Sequence, residues 1–441
     1  MRAAKTRHIL TISLLGLLAF PAAARSFEPG DADPSFGDRG VAVAPIKQFK
    51  ASAAGVAVDG LGRTVVATTI STEPPTSPSD SGYFGTQARI TRFRADGRLD
   101  RSFGRGGTAS LSLGQNGTEA RDIALTPDGG VAVAGRTTDH ADMPYCCVSV
   151  PDWDFFVARL DERGRVVWSA RRDDGRNGVA TAVAADAAGG ILAGGTSPLG
   201  RYLPDGSVDA GFGDTGLAAG MRRVADVAVA ASGRILVAGS RGRFALLAAL
   251  DPAGDLDPGF GDGGLAGLPA APLVLALDRA GRSLILGRRG SGHLVARLDG
   301  QGVLDPAFGE DGVVPLGAKG ADLTADAAGR AVLVTDAGRL LRLGADGRRD
   351  ATFGSPRFPA LDPRAVTVGT DGKVVAAGVT RTFDEPETGW QDRFGPAAAR
   401  YHSEAAPGTP PPHRAARPRR GHTDVSVGTG RRISPARKAA R

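Results

Sequence analysis

The chain has 441 residues, with 64 Gly, 29 Pro, 5% aromatics and a formal charge of +7. Gly at roughly twice its usual share requires frequent turns and few long helices. With 41% hydrophobic and 23% charged residues the chain can build cores, which excludes wholesale disorder and a collagen-like rod.

The first 24 residues read as an export signal. Arg2, Lys5 and Arg7 precede an apolar run from Ile9 to Phe20, and Pro21 leads to the small residues Ala22, Ala23 and Ala24. Cleavage near Ala24 would release a periplasmic or secreted protein beginning at Arg25. The run is too short to cross a bilayer as a helix and no other run approaches that length, so no transmembrane span is expected.

From residue 25 to 402 the chain repeats itself, and such a period decides the fold before any motif does. Asp, two variable residues and Phe-Gly recur at Asp33, Asp100, Asp209, Asp257, Asp305 and Asp350; a seventh copy, due near Ala170, has lost the motif. Between the markers lie paired apolar runs around Gly62, Gly129, Gly189, Gly233, Gly281, Gly329 and Gly372, the pattern of a β-hairpin. A third strand follows, carrying Arg92, Arg159, Arg201, Arg297, Arg342 and Arg400, with Ala249 in the remaining unit. A DG-type turn and the Asp-Phe-Gly segment, read as a fourth strand, complete each unit. Four short strands in seven copies predict an all-β, seven-bladed β-propeller. The mature chain opens with an Asp-Phe-Gly segment and its ordered part ends on a third strand, so the N-terminal strand should pair with the last blade and close the ring.

The PDG turn, the VAG and ARL phrases and the LDPSFG-like motif resemble the delta-60 repeat of bacterial exported proteins, with a layout similar to NHL-type propellers. The resemblance covers about Asp31 to Tyr401. It implies a propeller without an assigned reaction and carries no catalytic residue.

Within the repeat, the Phe reads as an inter-blade plug and the Asp as a turn cap accepting backbone N–H groups. An obligatory Asp–Arg pair is opposed by two exceptions: Arg159 has no motif Asp, and Asp257 has no third-strand Arg. No nucleotide, hydrolase or redox motif and no metal-ligand spacing is present, so neither a cofactor nor a bound metal is expected.

The units differ mainly between their second and third strands. Longer connections run about Ser71 to Gln87, Arg136 to Asp154 and Arg381 to Pro396, in blades 1, 2 and 7, which are neighbours in a closed ring. They hold Tyr83, Tyr145, Trp153 and Trp390, either as anchors of a binding surface or as pins that fasten the loops to the blade edges. Cys146 and Cys147 are adjacent, so a disulfide between them would be a strained vicinal one in the blade 2 loop. Asp122, Asp226 and Asp322 share one position at the start of the first strand of alternate blades and should ring the channel mouth.

From residue 403 to 441 the chain is Pro- and Arg-rich, cannot build a core, and should be a disordered basic tail able to touch anionic surfaces by charge alone. The signal carries +3 and the tail +7, so residues 25–402 carry −3: the propeller is mildly acidic and the basic balance belongs to the ends. Export and scarce aromatics oppose a nucleic-acid partner. The expected function is a monomeric binding or scaffolding propeller with no assigned reaction, with a protein or an envelope or extracellular polymer as partner. The alternative is a metal-dependent hydrolase or lyase built on Asp122, Asp226 and Asp322.

Overall fold

The computed structural model describes residues 27–45, 50–71, 85–115, 117–138, 153–173, 177–213, 220–356, 361–384 and 391–404. Their regular elements are short strands. β1 (Val41–Val43) is followed by a four-strand meander of β2 (Ala51–Val58), β3 (Thr64–Ser71), β4 (Thr86–Phe93) and β5 (Thr108–Leu111). A second meander holds β6 (Gly117–Leu125), β7 (Val131–Thr138), β8 (Asp154–Leu160) and β9 (Val166–Arg172), and one parallel bridge, Thr86 to Gly117, joins it to the first. Next come a three-stranded sheet of β10 (Ala180–Ala185), β11 (Ile191–Gly195) and β12 (Gly200–Tyr202), and a four-stranded sheet of β13 (Arg223–Val229), β14 (Ile235–Arg241), β15 (Phe244–Leu250) and β16 (Leu265–Gly267). The following sheets are β17 (Ala271–Leu277), β18 (Ser283–Arg289), β19 (Gly292–Leu298), β20 (Val313–Leu316), and then β21 (Gly320–Ala325), β22 (Ala331–Thr335), β23 (Leu340–Leu343). The last is β24 (Leu361–Val368), β25 (Val374–Asp384) and β26 (Gln391–Tyr401), completed by β1.

The fold is an all-β propeller. Each first strand touches the first strand of the next unit, in the order β2, β6, β10, β13, β17, β21, β24, and β24 touches β2 again. The expected closure is present: β1 pairs antiparallel with β26, Val41 opposite Ala399. Among the described residues the buried apolar side chains form separate clusters and not one central core. Apolar side chains instead fill the gaps between successive sheets, as where Val65 and Ile90 meet Ile123, Val133 and Phe156, and at the seam where Val375 and Ala377 meet Val66, Phe93 and Phe36. This explains why the second strands read as unbroken apolar runs: β11 and β22, covered on both faces, are buried at every residue.

Two expectations about the repeat change. The Asp-x-x-Phe-Gly segment is a turn leading into the outer strand, not the strand itself; Asp100 to Gly104 lies before β5 and Asp305 to Gly309 before β20. Its Phe and Gly are consumed in turn geometry and inter-blade packing, which leaves the ladder to the residues after it. The connection expected over Arg381 to Pro396 is mostly strand, since β25 and β26 stay paired from Val374 opposite Tyr401 out to Asp384 opposite Gln391. Thr380, Thr382, Phe383 and Phe394 supply the β-branched and aromatic residues that suit a strand, so the insertion lengthens the hairpin rather than the loop.

Candidate functional site

The repeated Asp and Arg form the principal polar unit between blades. In each motif the Asp Oδ1 accepts the N–H two residues on (Ser35, Ser102, Gly211, Gly259, Ala307, Thr352) at 2.9–3.1 Å, the expected turn cap. The second oxygen is occupied too. Nε of Arg400, Arg92, Arg201, Arg297 and Arg342 donates to Oδ2 of Asp33, Asp100, Asp209, Asp305 and Asp350 at 2.7–2.8 Å. These guanidiniums lie 4.5–4.7 Å from the centres of the motif Phe rings. Nη1 of Arg92, Arg201, Arg297 and Arg400 then donates to the backbone oxygens of Glu162, Pro252, Ala345 and Ala95 in the next blade, at 2.5–2.8 Å. Arg342 reaches the Ser403 oxygen in the same way. One cation therefore joins a carboxylate, an aromatic face and the neighbouring blade.

The two exceptions in the repeat turn out to be substitutions of partner. Where the third strand has Ala249, Arg234 from the hairpin turn puts Nη2 2.7 Å from Asp257 and donates Nη1 to the Gly300 oxygen. Where the motif Asp is missing, Arg159 takes Asp128 at 2.5 Å and donates to the Pro204 oxygen. There Trp168 replaces the Phe; its indole N–H donates to Pro204 and its ring meets Gly206, as Phe260 meets Gly302 in another gap. The argument against an obligatory pair is thus corrected: the contact persists in every blade, but the residues supplying it move.

Electrostatics follow from this packing. Burial pushes the Asp33 carboxyl up, but Lys373, Ser35 and Arg400 outweigh it and hold the group well below the usual carboxylate range. Asp100 and Asp350 are lowered too: burial again raises them, while their Ser102 and Thr352 bonds and their arginines prevail.

Asp122, Asp226 and Asp322 lie inside β6, β13 and β21 rather than at their starts, each just after a register shift in the inner strand. Oδ1 of each accepts the following N–H, that of Ile123, Val227 or Leu323, at 2.8 Å. Oδ2 reaches across to the next first strand, accepting from Val183, Leu275 and Val366 at 2.6–2.8 Å. Burial pushes Asp226 and Asp322 up to about 7, and Asp122 well above the usual carboxylate range; repulsion from Asp226 adds to the rise at Asp122 and Asp322. With both oxygens of each committed to backbone N–H groups, these side chains read as pins between inner strands. Among the described residues no three His, Cys, Asp or Glu side chains are placed to hold one metal ion. The geometry therefore gives no support to the metal-dependent hydrolase or lyase alternative.

Of the expected loop aromatics, Trp153 alone is described. It is 5% exposed, with the Arg136 guanidinium 3.9 Å from its ring centre, and Arg136 in turn binds Glu119 at 2.9 Å. Trp153 therefore pins the base of its connection instead of projecting outward. Tyr83, Tyr145, Trp390, Cys146 and Cys147 lie outside the described residues. A cavity of about 640 Å³ opens at the feet of the β3–β4 and β25–β26 connections, between β2, β6, β21 and β24. Lys50, Thr86, Arg121, Arg364 and Phe394 are in its wall, and no local sequence signal announces it, because it is made by strands brought together only by closure.

No protein-family model matches the chain, and no curated protein matches it. Among solved structures it is similar to the WD40 β-propeller domain of Doa1, at 11% identity and a TM-score of 0.46, covering 80% of this chain and 97% of that one. It is also similar to a protein of unknown function from Bacteroides caccae, at 15% identity and a TM-score of 0.37, covering 50% and 78%. Among the described residues no helix is long and apolar enough to cross a membrane.

Proposed function

We propose that this chain is an exported, seven-bladed propeller of the delta-60 repeat type, acting as a binding or scaffolding module. Its partner is a protein or an envelope or extracellular polymer, held on the face that carries the connections from second to third strands. Seven first strands in closed contact support the blade number, and the residue order at the N-terminus supports export. The observation that carries the functional reading is the cavity of about 640 Å³ at the feet of the β3–β4 and β25–β26 connections, with β6 of the next blade in its wall. The repeated polar residues are spent on joining blades, so the chemistry left for a partner sits on this face.

The test replaces residues 72–84, 139–152 and 385–390 by short turns, singly and together, and measures thermal unfolding alongside binding to envelope fractions and to components of the medium. Unchanged unfolding with loss of binding is the expected result. Equal binding by the variant lacking all three connections would refute the assignment.

A further inference from the structure

On the same face, away from the long connections, exposed arginines gather around two further openings. A depression of about 1130 Å³ lies between the β14–β15 and β18–β19 hairpins, with Arg241, Arg243, Arg288 and Arg289 in its wall. A second, of about 510 Å³, shares Arg288 with it and adds Arg223 and Arg121. Arg121, which pairs with Glu119 at 2.9 Å, also lines the cavity of about 640 Å³ already described, so neighbouring openings share an arginine.

Arg223, Arg241, Arg243, Arg288 and Arg289 are all exposed. None of the five forms an ion pair among the described residues, whereas every repeat arginine is held by a carboxylate. Among the described residues Asp262 is the one carboxylate in the wall of the large depression. This cationic strip belongs to a segment, residues 25–402, whose net charge is −3, so it is a local concentration and not a reflection of overall composition. Between the arginines the wall is apolar: Phe244 is 59% exposed at the hairpin tip, with the Arg243 guanidinium 5.1 Å from its ring, beside Leu265, Leu268 and Pro269.

We propose that the groove between the β14–β15 and β18–β19 hairpins binds an acidic peptide segment whose carboxylates alternate with aliphatic side chains. Guanidinium forks match carboxylates in bidentate geometry, and unpaired like charges held close together gain most from an anionic ligand. The apolar wall selects among anions. A polyuronate has no side chains to cover Phe244, Leu268 and Pro269, and a single-stranded nucleic acid would call for more stacking surfaces than the one exposed Phe in this wall. Arg288 and Arg223, which also line the adjoining depression, extend the cationic surface beyond the groove. This site lies outside the long connections and does not depend on them.

Fluorescence anisotropy on the full-length protein tests it, with a labelled peptide of alternating glutamate and leucine as probe and polyglutamate, polygalacturonate and oligothymidylate as competitors. Binding should weaken with salt, and Arg241→Glu with Arg288→Glu should weaken it by at least about tenfold without moving the unfolding temperature. Phe244→Ser should weaken the peptide several-fold and leave polyglutamate unchanged. The variant with shortened connections should bind the peptide as the wild type does, which separates this result from the preceding test. The proposal is overturned if the peptide does not bind, or if the charge reversals leave its affinity intact, which would assign the binding to the basic residues 403–441. It is equally overturned if polygalacturonate or oligothymidylate competes better than its charge alone predicts.

Discussion

The outer and inner edges of the blades use the same side chain in opposite ways. Asp33, Asp100 and Asp350 face guanidiniums or an ammonium and are held ionised, whereas Asp122, Asp226 and Asp322 face only backbone N–H groups and one another, and are pushed toward the neutral form. Burial raises both sets, but it is complete at the inner three and partial at the outer ones, where hydroxyl and backbone hydrogen bonds together with the cations outweigh it. Outer locks resist alkali and fail in acid. The inner pins are strongest in acid.

The largest test of this contrast removes one outer carboxylate. Asp305→Ala leaves Arg297, 1% exposed, with its ring contact and the Ala345 carbonyl but without the carboxylate bonded to it, Asp278 acting only at longer range, and should cost about 3 kcal/mol in urea unfolding. Replacing the pair together, Arg297→Met with Asp305→Leu, should recover most of that loss, because the uncompensated charge is then gone. Next in size is Gly302→Ala. Gly302 has φ 85° and a Cβ there would lie 2.7 Å from the Phe260 ring, so backbone and packing both oppose it, by about 2 kcal/mol or more.

Arg234→Ala tests the substituted lock and should cost about 1 kcal/mol, since the pair with Asp257 is partly open to solvent. Adding Ala249→Arg, which restores the third-strand position used in the other blades, should return part of the loss if the carboxylate accepts either donor. The smallest effect is the most diagnostic for the inner ring. A carboxyl whose folded pKa is raised keeps its proton while the unfolded chain releases it, so its stabilisation falls as pH rises from the ordinary carboxylate range through about 7. Asp226→Ala strands the Val227 and Leu275 N–H groups and should be less stable than the wild type near pH 4. That deficit should narrow by up to about 1 kcal/mol per pH unit on the way to 7, read from parallel urea curves. A deficit that widens would mean the inner carboxylates are ionised.

The propeller was legible because its repeat is written in residues with narrow uses: Gly in turns, Phe in inter-blade gaps, Asp at turn caps. Closure was legible from the order of the pieces at the two ends. The lock was read only in part. Its exceptions hid it, because a guanidinium can arrive from Arg234 or a carboxylate from Asp128, at sequence positions that no repeat alignment pairs, yet reach the same place in space. The place of the inner carboxylates within their strands was missed for a related reason. A one-residue bulge before Asp122, Asp226 and Asp322 turns these side chains toward the neighbouring strand, and the bulge leaves no mark in the residue pattern. The arginine cluster went unread because its members belong to different hairpins and meet only where successive blades pack.

The closing contact also has a kinetic meaning. Arg400 and Asp33 are 367 residues apart in the chain and yet are bonded at 2.7 Å, alongside the pairing of β1 with β26. Each other lock joins neighbours in sequence and can form as soon as two successive blades are made. This one must wait for the last strand, and the entropy of closing so long a loop is recovered only at that step. Until then β1 has no sheet to complete and the outer edge of β26 is bare, so the half-made ring offers an open strand edge for pairing with another chain. Folding should therefore show a late, slow phase assigned to the seam, and Arg400→Ala should lengthen the life of that open-edged state far more than an equal loss placed at Arg297.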